Sequence, residues 1–249
     1  MKKYKNLVTI GCSFTFGAML ENIEQERYGK LLADKLGVSE TNLSKQGGSN
    51  DRIFRKAFNW IIDNRLKCKD SLMLIGITEL YREELYSVHS DKYCKFQYPN
   101  IESFDDIELF KEQSKIENYD DVLQYLKCRL LNFVNAKYFL ENLERNIILI
   151  NTLAKEYKLD IVFLDTIRDN REIELQGRYA DDQDENELYY KLDFIERNNL
   201  NWFMFPNKEK NWKNYLHHVD DTYTGNHPNK KHHEDLSNLI WEYLNENFK

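Results

Sequence analysis

Leu7-Val8-Thr9-Ile10-Gly11-Cys12-Ser13-Phe14-Thr15-Phe16-Gly17 decides the reading of this chain. An apolar run that empties into a Gly-Cys-Ser turn reads as a strand followed at once by a helix. It places a hydroxyl at the carboxyl end of a sheet, where ligands and catalytic groups collect in open α/β folds. Ser13 is thereby a candidate nucleophile, and a serine hydroxyl needs an adjacent base to act as one. Taken alone, Ser13 also fits the cap of the following helix.

Outward from this turn, strand and helix patterns alternate. A helix is expected over about 24–36, with Tyr28, Leu31, Leu32 and Leu36 at helical spacing and Gly37 as its stop. A short strand at Asn42-Leu43-Ser44 enters the turn Gly47-Gly48. The next helix, about 50–65, carries an apolar face of Ile53, Phe54, Ala57, Phe58, Ile61 and Ile62. Ser71-Leu72-Met73-Leu74-Ile75-Gly76 and Asp160-Ile161-Val162-Phe163-Leu164-Asp165 are continuous apolar runs, as strands buried on both faces should be. The helical pattern from Asp121 to Tyr157 is too long for one short helix. Leu236, Leu239, Ile240, Tyr243 and Leu244 mark a closing amphipathic helix, with Pro228 suited to its first turn. Strands alternating with helices imply βαβ units and a parallel sheet. The expectation is a three-layer α/β/α sandwich, one domain over 1–249, with irregular insertions at about 85–120 and 167–220.

Composition narrows the function. With 249 residues and 41% hydrophobic content there is enough apolar mass for one sizeable core. Nine glycines and three prolines argue against a chain of tight hairpins. A net charge of −7 disfavours nucleic acid as partner, because phosphate binding needs concentrated Lys and Arg. No apolar run approaches a membrane helix, and the N-terminal apolar stretch is too short for a signal segment. Cys12, Cys68, Cys94 and Cys128 lack CxxC spacing and read as reduced thiols, so a cytoplasmic location is expected. Cys12 reads as a small packing residue rather than a rival nucleophile.

His227, in Asn226-His227-Pro228-Asn229, is the candidate base, since an imidazole titrating near neutrality suits proton transfer. The backbone N–H groups of Ser13 and Gly47 are candidate oxyanion donors. The Gly11–Gly17 stretch is neither the Gly-x-Ser-x-Gly elbow, because Thr15 stands at the second glycine, nor a phosphate-binding loop. The pairs His217-His218 and His232-His233 invite a metal reading. Neighbouring side chains on a helix diverge by roughly 100°, however, so neither a metal nor a cofactor is expected. The runs Asp105-Asp106, Asp120-Asp121 and Asp181-Asp182-Gln183-Asp184 read as solvated faces or caps. Arg82, with Glu83 and Glu84 after the third strand, reads as half of a surface ion pair, with reach to the site as the alternative. The aromatics Trp202, Phe203, Phe205, Trp212 and Tyr215 read as core or as stacking surface for sugar rings, with core favoured.

In order along the chain, these blocks resemble the SGNH (GDSL-type) hydrolases, in particular bacterial and phage members that open on Gly-Cys-Ser-Phe-Thr. Gly11-Cys12-Ser13-Phe14 is similar to the first block, Asn42 through Ser49 to the second, Ile75-Gly76-Ile77-Thr78-Glu79 to the third and Asn226-His227-Pro228 to the last. The resemblance implies a flavodoxin-like fold, Ser13 as nucleophile, His227 as base, and Ser13, Gly47 and the residue at 78 as oxyanion donors. Two positions depart from the pattern. Thr78 stands in place of the family's Asn, and Thr224 in place of the triad Asp. Asp221, or Asp220, is the expected substitute acid. The function implied is hydrolysis of an ester of a small molecule or carbohydrate, an O-acetyl group being one candidate. The alternative is a binding or assembly module on the same fold with a degraded site.

Overall fold

The structure, a computed structural model, describes residues 2–80, 82–97, 110–132, 136–167, 193–206, 209, 211–223, 225 and 227–248. Its centre is a parallel sheet of β1 (Asn6–Ile10), β2 (Ser39–Asn42), β3 (Ser71–Ile77) and β6 (Asp160–Asp165), in the order β2-β1-β3-β6. Leu7, Val8 and Ile10 of β1 pair with Leu72, Met73 and Ile75 of β3, so both strands end level with one another. Every residue of β3 is buried, the condition its uninterrupted apolar run requires. Beyond β6, Phe163 exchanges backbone hydrogen bonds with Asn201 and Phe203, extending the sheet by one short parallel bridge at Trp202.

Helices cover both faces. Alternate strand residues divide between two apolar clusters, as the period of two demands. Val8, Ile10, Met73, Ile75, Ile161 and Phe163 pack with α4 (Asn50–Asp63) and α7 (Ala136–Glu156). Leu7, Leu72, Leu74, Val162 and Leu164 pack with α3 (Tyr28–Leu36), α8 (Trp212–Val219) and α9 (Lys230–Asn247). The three-layer α/β/α sandwich is therefore the observed architecture. Trp202, Phe203, Phe205 and Trp212 are buried in these clusters, and Tyr215 packs against the second.

Local departures from the sequence reading have physical reasons. The helix expected over 24–36 is broken at Arg27, whose extended backbone separates α2 (Ile23–Glu26) from α3. That break lets the guanidinium turn inward to pair with Glu40, a side chain only 1% exposed. Gly37 ends α3 at φ 67° as foreseen. On α4, Ile53, Phe54, Ala57 and Ile61 are buried, but Phe58 is 49% exposed, at the edge of the stripe. The long pattern resolves into α6 (Tyr119–Asn132) and α7. The stretch read as irregular from 85 holds an antiparallel hairpin, β4 (Arg82–Ser87) and β5 (Lys92–Gln97). Its sequence alternates charge and aromatic residues with little apolar content, which hid the strand period. α9 begins at Lys230 with Asn229 as cap, so Pro228 precedes its first turn. Thr224, Asn226, Asp105-Asp106 and the run at 181–184 lie outside the described residues.

Candidate active site

The sheet supplies the frame. The chain winds from β1 to β2 on one side, then crosses to β3 on the other, so the crevice between the ends of β1 and β3 is the topological switch point. Ser13 lies directly past β1 as the first residue of the short helix α1 (Ser13–Phe16). Cys12 holds the cap position without a side-chain bond, and Ser13 caps nothing. The Cys12 thiol points into the core, 3.5 Å from Thr166 Oγ1. Thr15 explains two glycines. A Cβ on Gly11 or Gly76 would stand 2.1 or 2.5 Å from Thr15 Oγ1, so only glycine lets α1 sit this close to the strand ends.

The second block is stitched to the first. Lys45 N–H donates to Gly11 O and Gly48 N–H to Lys45 O. Gly47 has φ 64°, a left-handed geometry that strains any residue with a Cβ. A Cβ there would also lie 2.7 Å from Lys95 Nζ, so the ammonium of β5 rests against this turn.

The third block ends at Thr78, fully buried. Asn50, the first residue of α4, grips it: Thr78 N–H donates to Asn50 Oδ1 at 3.0 Å, and Asn50 Nδ2 donates to Thr78 O at 3.1 Å and Glu79 O at 3.4 Å. Arg82 Nη1 donates to Thr78 Oγ1 at 3.2 Å, while Arg82 Nη2 pairs with Glu79 at 2.9 Å. Both partners of that pair are mostly buried, so the ion pair expected at Arg82 is an interior one.

His227 packs its ring on Phe14, the neighbour of Ser13, with centroids 5.6 Å apart. Burial, then the Arg82 charge, holds its pKa below the ordinary 6.5. At neutral pH the imidazole is thus uncharged and able to accept a proton. Among the described residues neither Ser13 Oγ nor the His227 ring has a hydrogen-bond partner, so the two are not bonded to each other. Asp220 is committed elsewhere. Its carboxylate accepts from Thr222 and meets His232 Nε2 at 2.7 Å, and these bonds lower its pKa to about 2. Asp221 is exposed and has no hydrogen bond to His227 among the described residues.

The structure therefore brings Phe14, the neighbour of Ser13, against His227 and bonds Arg82 to Thr78, while Ser13 and His227 are not hydrogen-bonded to each other. Sequence reasoning gave Asn50 no role of its own and passed over Lys95. Asn50 directly follows the quoted second block, and its place there was the available signal; nothing local marks Lys95, which reaches Gly47 only through the hairpin.

This fold has known counterparts. A protein assigned to the G-D-S-L lipolytic family from Desulfitobacterium hafniense superposes with a TM-score of 0.51 at 12% identity, covering 96% of this chain and 99% of its own. The psychrotrophic esterase EstA from Pseudoalteromonas sp., in a form inhibited by monoethylphosphonate, gives 0.52 at 11% identity, with 97% of both chains covered. The fold is that of these GDSL-type proteins. TesA aligns similarly, at 0.50 and 12% identity over 97% of this chain and 99% of its own. No protein-family pattern and no curated protein matches the chain. At such low identity the likeness concerns the fold, and the chemistry has to be argued from the site.

Proposed function

We propose that the chain is a divergent SGNH/GDSL-type serine hydrolase that cleaves esters, with Ser13 as nucleophile and His227 as base. The observation that carries this reading is the His227 ring, uncharged at neutral pH, lying on Phe14, the residue next to Ser13. In the reaction Ser13 Oγ attacks the ester carbonyl while His227 takes its proton. The resulting oxyanion sits between the N–H groups of Ser13 and Gly47 and the Thr78 hydroxyl. Lys95 and Arg82 add positive potential to that place, which favours developing negative charge. Collapse expels the alcohol with the proton from His227, and water then releases the acid from Ser13.

The acid that orients His227 is open to test at Asp221, which a turn through Gly225 (φ 82°) can carry toward the ring. Hydrolysis of p-nitrophenyl acetate, and labelling by a fluorophosphonate probe, should both vanish in Ser13→Ala and His227→Ala. Asp221→Asn should lower kcat/KM if a carboxylate assists; unchanged activity leaves a Ser–His dyad. The engagement of Asp220 with His232 favours one rival, a binding module on the same fold. Absence of both turnover and labelling in the wild-type protein would establish that rival. The substrate's acyl group and alcohol, a carbohydrate O-acetyl ester among the candidates, would follow from a panel of esters.

A further inference from the structure

A cavity of about 300 Å³ has in its wall Asn50 and Arg82, the two residues that bond Thr78. It lies between the start of α4, strand β4 and helices α6 and α7, and its size is at the lower end for small-molecule sites. Its walls mix two characters. Leu80, Leu85, Phe139 and Leu143 give apolar surface, with Tyr138 alongside; Asn142 and Asn146 offer amides. Five charged residues complete the lining: Asp51, Arg82, Glu83, Glu84 and Arg129.

Four of those five charges are paired. Glu83 takes a two-pronged bond from Arg129, at 3.1 Å to Nε and 2.7 Å to Nη2. Glu84 pairs with Arg55, at 2.5 Å, and Arg82 pairs with Glu79. Among the described residues Asp51 has no ion pair, and its one hydrogen bond there is a long one, 3.5 Å, from the Glu84 N–H. Burial, with Glu83 and Glu84 nearby and only partial relief from Arg129, pushes its carboxyl up to about 6. At neutral pH the lining therefore holds one surplus negative charge inside a partly apolar cavity. An unpaired, mostly buried carboxylate is costly to keep.

We propose that this cavity binds a small organic monocation bearing hydroxyl groups, its ammonium on Asp51 and its carbon body against Phe139 and Leu143. A single positive charge balances the lining. A divalent metal fits poorly, because Arg82 and Arg129 stand in the walls and the remaining carboxylates are already held by arginines. The hydroxyls have partners in the Asn142 and Asn146 amides, and Arg82 has a buried Nε–H without an acceptor. The assignment does not depend on Ser13 being a nucleophile, so binding and hydrolysis fail independently.

The test is calorimetry at pH 7 and low salt with four probes: ethanolamine and glucosamine as cations, ethylene glycol and glucose as neutral counterparts. The cations should bind saturably with one site per chain, and the neutral probes at least tenfold more weakly. Asp51→Asn should lose at least tenfold in cation affinity while melting no lower than wild type, since it removes an unpaired buried charge. Leu143→Trp, which fills the cavity, should abolish binding without touching Asp51. Equal affinity for neutral and cationic probes, unchanged binding in Asp51→Asn, or no binding of either amine to the folded wild-type protein would each overturn the proposal.

Discussion

Asn50→Ala is the perturbation whose consequence the geometry defines most sharply. The amide closes a ring on Thr78, accepting its N–H and donating to its carbonyl, with a further bond to Glu79 O. Both residues are buried, Asn50 at 6% exposure and Thr78 at 0%. A typical internal hydrogen bond is worth about 0.5–1.5 kcal/mol net, and a buried group left unpaired costs about 1–3 kcal/mol. Removing the side chain strands the Thr78 N–H and at least one carbonyl, so a loss of about 2–4 kcal/mol is expected. Asn50→Asp separates the two halves of the ring. It keeps the acceptor for Thr78 N–H but sets an oxygen against two carbonyls, so it should be no better than alanine at pH 8. It should recover stability in acid, where a protonated carboxyl can donate again. Urea titration reads the stability, and p-nitrophenyl acetate hydrolysis reads the site. If Thr78 is an oxyanion donor, kcat should fall toward the roughly 10²–10³-fold loss known for such donors, with KM little changed. Both variants lying within about 0.5 kcal/mol of wild type would refute the reasoning, because the ring would then contribute nothing to holding β3's end.

Acid stability should trace to His233. It is buried, its Nδ1 accepts the Tyr28 N–H at 3.1 Å, and burial followed by His232 lowers its pKa to about 3. The unfolded chain binds this proton near the ordinary 6.5 and the folded one does not. Stability is therefore full above that value and falls as pH drops, by about 2 kcal/mol at pH 5. Thermal melts at pH 8 and pH 5 should show the difference in wild type and a smaller one in His233→Gln. The acid limb of kcat/KM should fall below pH 6.5, following His227, and Arg82→Gln should move it upward by removing a nearby positive charge; a limb that ignores Arg82 would detach His227 from the reaction. Gly47→Ala should cost about 1–2 kcal/mol for its left-handed backbone, measured by denaturation, and lower turnover further by displacing Lys95.

The layers of this fold were legible because burial on both faces forces strands such as Leu72–Ile77 to be continuously apolar. The turns after those strands were legible too, since a parallel sheet gathers the carboxyl ends of its strands whatever the loops contain. Ser13 follows from that rule, whereas Thr78 was singled out by the resemblance. What remained hidden depends on which side chains meet in three dimensions. Asp220 and His232 meet through the packing of one loop on the start of α9, and no spacing rule told that carboxylate to choose His232. Arg82 and Lys95 arrive on a hairpin whose charged, aromatic pattern conceals its strands, yet one bonds Thr78 and the other rests against Gly47. Asn50 became a clamp only because α4 starts level with the end of β3. The sequence by itself determined the three buried strands, through hydrophobic periodicity, which is local; the edge strand β2, expected at Asn42–Ser44, runs instead over Ser39–Asn42, because its polar, half-exposed residues carry no such period. Which polar groups face one another at the strand ends was decided by the tertiary structure alone, because charge pairing and hydrogen bonding depend on ångström distances that periodicity does not encode.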